Sequence, residues 1–294
     1  MQEGFDVVAG VEHGLRDRAE AWRFIREFTE HWGVPAVEDW DGHAVKALDM
    51  AEQRLGLRLP AAVRECYALL GGRRDLTSNQ DRLLRPSELD FDGEALVYRW
   101  ENQNVVTWGI LRSDLDSPDP PTWMCMAGET TWHPWMPSFS AAYVEMVLSE
   151  WMLGGDETLT DNGELADGGP ESLERLYTRL ALPEYPALDV TPPGIRWFAG
   201  PGVMLREDCR TWVWARARDG EALDVVRQAL PVDWLMSLRV SNFGAAPSDA
   251  RFRSLSSYLP DNTPPASGDQ GNTPIPISRA MGIKSRSTVR SVRL

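Results

Sequence analysis

Apolar residues recur at helical spacing through the first quarter of the chain. Trp22, Ile25, Phe28 and Trp32 line one face of a helix predicted over residues 14–33; Asp17 and Glu20 open it with capping-box spacing, and Gly33 and Pro35 close it. Such a face does not stay in water, and packing on its own domain is the simpler way to bury it. Residues 34–42 read as a loop. Val45, Leu48, Ala51 and Leu55 then form a stripe that runs into Gly56, a residue free to take the left-handed conformation that ends a helix. Pro60 suits the first position of the next helix, Val63, Tyr67 and Leu70 form its buried stripe, and Gly71-Gly72 end it. Residues 51–72 therefore read as a helix pair around a tight corner, and the chain is organised about them.

The period then changes. Residues 94–100 alternate as a strand, with Leu96, Tyr98 and Trp100 on one face, and residues 104–110 are rich in β-branched and aromatic side chains. Between them Glu101-Asn102-Gln103 has turn chemistry, because Asn tolerates positive φ. The two predict an antiparallel hairpin, with a further strand near residues 122–126. Residues 117–137 hold five prolines and Trp123, Trp132 and Trp135. These rings read as a partner anchor or as pins that hold a long loop over the sheet, and the second reading is favoured. Ser140 is expected to cap a helix with Tyr143, Met146, Val147 and Trp151 inward, ending at Gly154-Gly155.

Leu55-Gly56, Leu59-Pro60, Tyr67 and Gly71-Gly72, in that order, resemble the opening of the SUKH superfamily, and Glu101-Asn102-Gln103-Asn104-Val105-Val106-Thr107-Trp108-Gly109-Ile110 looks like the central strand pair of its bacterial members. The resemblance covers residues 37–155. It implies an α+β fold, a mainly antiparallel sheet packed with helices. It also implies a non-enzymatic protein-binding module, since the superfamily includes bacterial immunity proteins, which neutralise a cognate toxin by direct binding, and fungal cell-wall assembly regulators. The quoted motif residues are read as holders of the fold, not as a site.

Beyond the resemblance the pattern resumes. Residues 156–169 read as an acidic, Gly-rich linker, within a run from Gly154 that holds five carboxylates, five glycines and no basic residue. Pro170 starts a helix with Leu173, Leu176, Tyr177 and Leu180 at i, i+3, i+4 and i+7. Three short strands follow at 195–199, 202–206 and 211–217, with a hairpin turn at 207–210. Asp219 begins another helix with Ala222, Val225, Val226 and Ala229 inward. This α-β-β-β-α stretch, residues 170–240, is a small second domain or an extension of the first sheet. Residues 241–294 read as a disordered basic tail. The expected organisation is thus an N-terminal helix (1–36), the SUKH-like domain, the linker, the extension and the tail.

Charge sharpens the picture. The chain of 294 residues carries −14. From Arg251 on, seven Arg or Lys face two Asp, so residues 1–250 carry −19. A body this acidic disfavours nucleic acid and anionic membrane and steers basic partners toward it, although acidic surfaces also serve solubility alone. No apolar run approaches the ~20 residues of a membrane span, and the first residues show no secretory signal. Cys66, Cys125 and Cys209 lie far apart, as expected of reduced thiols in a cytoplasm.

Candidate chemistry is sparse. There is no G-x-S-x-G, P-loop, G-x-G-x-x-G or H-E-x-x-H. His13, His31, His43 and His133 are scattered, Glu27 and His31 are spaced for a helix-surface ion pair, and Cys66 sits in a helix pattern that suggests packing. No catalytic residue, cofactor or metal is expected. Asp90-Phe91-Asp92 and Asp114-Leu115-Asp116 read as solvated acidic turns. The expected partner is a protein, in the immunity reading a toxin domain; an acidic body would complement a basic nuclease toxin. The candidate partner surface comprises Asp90, Asp92 and Glu94 before the hairpin, Asp114, Asp116 and Asp119 after it, and Trp132 and Trp135. A general regulatory scaffold and an enzyme with an unrecognised site stand as the alternatives.

Overall fold

The computed structural model of the chain describes residues 5–38, 45–187 and 192–235. All lie in one compact unit, residues 1–245; a second unit, residues 246–294, falls outside the described residues, as do the predicted tail and the end of the 34–42 loop. The fold is α+β, with two antiparallel sheets of six strands each.

Helices α1 (Val7–Gly14) and α2 (Arg18–His31) form an N-terminal pair, each opened by an aspartate. Asp6 accepts from the Val8 amide at 2.9 Å, and Asp17 accepts from the Glu20 amide at 3.1 Å. Helix α3 (Val45–Leu55), helix α4 (Ala61–Leu70) and the short α5 (Arg74–Thr77) follow. The first sheet contains β1 (Arg82–Leu83), β2 (Asp90–Asp92), β3 (Ala95–Trp100), β4 (Val106–Leu111), β5 (Thr122–Met126) and β6 (His133–Met136). Its order is β1-β3-β4-β5-β6, and β2 also pairs with β3.

Helix α6 (Phe139–Leu153) comes next, and then β7 (Thr160–Leu165), α7 (Gly169–Leu176), β8 (Thr178–Arg179), β9 (Ile195–Gly200), β10 (Val203–Asp208), β11 (Trp212–Ala217), α8 (Gly220–Ala229) and β12 (Val232–Trp234). The second sheet has the order β12-β7-β11-β10-β9-β8. Trp197, Ala199 and Met204 on one of its faces join the core around α6, whereas Phe198, Val203, Leu205 and Val213 form a second core with Leu173, Leu223 and Val226 of α7 and α8.

The element that joins these layers is α6. A helix apolar on one side has a polar face to show to water; α6 has none, and every residue from Phe139 to Met152 is buried. On one side Phe139 packs edge-on against Tyr98 of β3, with ring centroids 5.0 Å apart. Beside it Trp151 meets Phe28 of α2 and Trp32, the residue that caps its end, edge-on, and its indole N–H donates to the Trp32 carbonyl at 3.2 Å. Arg216 of β11 lies over the Trp151 ring, 4.4 Å from its centroid, and donates to the Trp151 and Gly154 carbonyls.

Burying the whole helix also buries Glu145, Ser149 and Glu150, and each is answered. Glu150 accepts backbone N–H donors from Asn79 and Gln80 at 2.6 Å and from Asp81 at 3.1 Å, and Arg99 of β3 donates to it at 2.9 Å. Glu145 accepts from Ser149 at 2.5 Å and from the Tyr185 hydroxyl at 2.6 Å, and lies 3.5 Å from Arg99. From Ser149 the chain of contacts continues to Arg206 of β10 at 3.2 Å, and from Arg206 to Asp208 at 2.9 Å. Burial by itself would lower the affinity of Arg99 for its proton; Asp81, Glu150 and Glu145 together more than reverse this, and the guanidinium stays charged. Burial raises the Glu150 pKa, with Arg99 and the backbone donors opposing it.

Arg99 reaches α6 because β3 carries a bulge. Val97 pairs with Gly109 but Arg99 pairs with Trp108, so Tyr98 is the extra residue. Beyond it the alternation is reversed. Arg99 turns inward over the Trp108 ring, 4.7 Å from its centroid, and Trp100, expected on the face of Leu96 and Tyr98, is exposed.

Other expectations shift for physical reasons. Within the run read as an acidic linker (156–169), residues 160–165 form strand β7 in the interior of the second sheet; its alternation buries Asp161, Gly163 and Leu165, and Arg227 of α8 holds Asp161 at 2.8 Å. Gly163 is required there, because a Cβ would sit 2.3 Å from the Asp233 carbonyl oxygen. Ser138, not Ser140, caps α6, accepting from the Ala141 amide at 3.1 Å. Pro60 occupies the N-cap of α4, one place before its first turn. Val45 is exposed while Leu48 and Ala51 are buried. Helix α7 stops at Leu176, which is exposed, and the chain turns into β8, so that Leu180 is buried from outside the helix. Leu223, Val226 and Leu230 form the inner stripe of the α8 region, leaving Val225 and Ala229 outside. The N-terminal segment has two helices where one was expected, with Gly10 and Gly14 lying against Phe24.

Removing one member of a buried charge cluster strands the others, a loss typically of ~3–5 kcal/mol. Arg99→Met should therefore lower the unfolding free energy of the full chain by about that much in urea titrations, and Arg99→Met with Glu150→Gln by less; a loss below ~1 kcal/mol for the single variant would contradict the account. A second outcome concerns the cross-strand pair Arg196–Glu207, joined at 2.6 and 2.8 Å on the α7 side of the second sheet. Burial pushes the Glu207 carboxyl from 4.5 up to about 7, with Arg196 opposing. A raised folded-state pKa adds stability that is complete below the unfolded value and lost as pH rises through the folded one. Unfolding free energies measured from pH 4 to 8 should contain this decline in the wild type and lack it in Glu207→Gln.

Candidate partner-binding surface

The two faces of the first sheet do different things. Leu96, Tyr98, Arg99, Trp108 and Ile110 belong to the core around α6 or its charge cluster. Ala95, Val97 and Gly109 lie on the other face, and Trp132 folds back over it. A Cβ on Gly109 would stand 3.0 Å from the Trp132 ring, so the absence of a side chain at 109 is what lets the indole lie down. Trp132 and Trp135 are both buried, Trp135 against Trp108 and Tyr185 with ring centroids 5.6 Å apart in each case. These two residues were expected at a partner surface. They are core side chains instead, because each has a large apolar ring and a nearby sheet on which to bury it.

The carboxylates of the candidate set separate into two groups. Asp90 and Asp92 are exposed on β2, opposite Val97 and Ala95, and Glu94 is exposed just after the left-handed Gly93 that turns β2 into β3. The 112–116 turn is tied to this hairpin: the Arg112 amide donates to the Glu94 carbonyl at 2.8 Å, and the Arg112 guanidinium lies 3.3 Å from the centroid of the Phe91 ring. Asp116 is exposed on that turn. The other two carboxylates have internal duties. Asp114 accepts from the Trp123 indole at 3.0 Å, and Asp119 accepts from the Ser140 amide at 2.9 Å and its hydroxyl at 2.5 Å, fastening the 117–121 segment to the start of α6.

The structure adds members that the sequence reading omitted. Glu129, exposed on the β5–β6 connection, lies 3.6 Å from His133. Burial raises the Cys125 thiol pKa, and the neighbouring Asp92 and Glu129 carboxylates raise it further. The thiol is thereby kept protonated and a poor nucleophile. Arg112 is the other addition. Only the spacing of Phe91 and Arg112 across two strands brings them together, which no local sequence pattern signals. Cys66 is fully buried, and burial raises its pKa well above the usual thiol range. His31 bonds the Glu27 carbonyl at 2.8 Å and stacks on Phe5, so it makes no pair with the Glu27 carboxylate that its spacing suggested. Among the described residues no group of three His, Cys, Asp or Glu side chains is placed to share a metal ion.

Comparison with protein-family models, with curated proteins and with solved structures finds no match for this chain.

The two carboxylate groups should respond differently to substitution. Asp90→Lys, Asp92→Lys and Glu94→Lys, made singly at exposed positions, should each leave the urea midpoint within an equivalent of ~0.5 kcal/mol. Asp119→Ala, which frees the Ser140 amide and hydroxyl, should cost about 1–3 kcal/mol. Equal effects from the two groups would contradict the division.

Proposed function

We propose that this chain is a non-enzymatic protein-binding module of the immunity type, and that the acidic outer face and edge of its first sheet receive a basic partner. The observation that carries the reading is the concentration of exposed carboxylates at Asp90, Asp92, Glu94, Asp116 and Glu129; the Arg112 guanidinium beside them is engaged with the Phe91 ring, and the His133 imidazole lies 3.6 Å from Glu129. Carboxylates in the interior of this protein are matched by arginines, as at Glu150 and Glu207. Among the described residues Asp90, Asp92, Glu94 and Asp116 have no such arginine partner. A surface of one sign raises the rate of encounter with a partner of the other sign and suppresses wrong pairings. The resemblance of residues 37–155 to the SUKH superfamily supports the toxin-neutralising form of this reading, in which a basic nuclease toxin would be occluded by direct binding.

The test is capture from an extract of the source cell with the full chain as bait, at low and at high salt, in parallel with a bait carrying Asp90→Lys, Asp92→Lys and Glu94→Lys. One basic protein retained near equimolar by the wild type, weakened by salt and lost from the reversed bait, is the expected result. Retention that ignores both salt and the reversal would contradict it.

A further inference from the structure

Between the α3–α4 corner and the turn after β4 lies a notch of about 520 Å³. Leu57 and Pro60 line it from the corner, and Leu115 and Pro118 from the turn. Both walls are fixed. The Ala62 amide donates to the Pro118 carbonyl at 2.9 Å, so the first turn of α4 is bonded directly to the opposite wall. The corner itself is held by Glu52, which accepts from the Leu59 amide at 2.8 Å, and by the left-handed Gly56 that reverses the chain. A notch held open in this way does not have to be rebuilt when something enters it.

Its rims carry opposite charges. Arg58 stands on the corner wall and Asp116 on the turn wall; both are exposed, and among the described residues neither has an ion pair or a side-chain hydrogen bond. Neighbouring arginines are already engaged: Arg64 with Asp49 and Glu52, Arg18 with Glu65, Arg54 with the Leu89 carbonyl. Two unpaired charges flanking an apolar floor specify an occupant by complementarity. An apolar stretch alone would leave both rims unmatched, and a purely basic one would meet Arg58.

We propose that the notch seats an extended segment of the protein partner in which an apolar pair is flanked by a basic residue on one side and an acidic residue on the other. The apolar pair lies on Leu57, Pro60, Leu115 and Pro118, the basic residue meets Asp116 and the acidic residue meets Arg58. The proposal rests on the protein-binding reading above and assigns it a recognition point next to the acidic hairpin. The surrounding negative field attracts the partner, and the notch selects the segment.

The test uses the isotopically labelled full chain and three blocked tetrapeptides: acetyl-Arg-Leu-Val-Glu-amide, its reverse acetyl-Glu-Leu-Val-Arg-amide, and acetyl-Ser-Leu-Val-Ser-amide. Saturable amide shifts at Leu57, Ala61, Leu115 and Ser117 with at least one charged peptide are expected. The affinity should fall about tenfold for the serine peptide and about tenfold in each of Asp116→Arg and Arg58→Glu. Both positions are exposed, and matching thermal melts of the variants confirm that folding is unchanged. No saturable shift at these amides, equal binding of the serine peptide, or indifference to both reversals would overturn the proposal. Shifts confined to residues 90–94 would also overturn it while leaving the acidic-face reading in place, which is decided separately by the capture experiment.

Discussion

Arg99 is buried among three carboxylates, and most of the architecture follows from keeping it there. A guanidinium and carboxylates taken out of water cost several kcal/mol each unless geometry repays them. Here repayment comes from every side. Strand β3 must bulge at Tyr98 to aim Arg99 inward, the 78–81 segment must present three backbone N–H groups to Glu150, and α6 must be covered on all faces so that Glu145 and Glu150 stay dry. The second sheet completes the set through Arg206, and Tyr185, bridged to Ile195 at the start of β9, adds its hydroxyl. Apolar contacts of Phe139, Tyr143, Met146, Val147, Leu148 and Trp151, each worth ~1.5–3 kcal/mol on full burial, supply the driving force. The polar cluster decides which arrangement that force selects.

The same division of labour explains the outer surface. Interior carboxylates come with arginines on facing elements, and the large negative balance of the body is therefore expressed outside, where Asp90, Asp92, Glu94, Asp116 and Glu129 stand on or beside the first sheet. These groups sit on a sheet whose inner face is locked to α6. A rigid platform of this kind can present charge and a fixed notch to a partner at little cost in ordering.

Much of this was legible in the sequence, because local rules and the tertiary structure agreed. The 51–72 helix pair, the β3–β4 hairpin, strand β5 and the three strands β9–β11 all have strong periodicity and turn residues suited to their places. The turn extends further than expected: Asn104, read as the first residue of the next strand, has φ +59 and still belongs to the turn, and β4 starts at Val106. What was missed depends on long-range pairing. Strand β7 reads as a loop because Asp161, Asn162 and Gly163 have poor strand propensity, and the long-range pairing with β11 and β12, together with Arg227, makes that position tenable. Trp100 was misplaced because a bulge is set by the partner strand and leaves no mark in alternation. Of the candidate surface, Asp90, Asp92, Glu94 and Asp116 are exposed as a binding role requires, whereas Asp114, Asp119, Trp132 and Trp135 are committed to internal contacts that composition alone does not reveal.

Since α6 and its charges belong to both sheets, the two sheets should not unfold separately. Native-state hydrogen exchange on the full chain tests this directly, because it reports an opening free energy for each amide. Amides in the interior of β3, β4, α6, β10 and β11 are expected to converge on one value, equal to that of global unfolding. A second sheet that opens at a distinctly lower free energy while α6 and the first sheet remain protected would contradict the central role given to the shared helix.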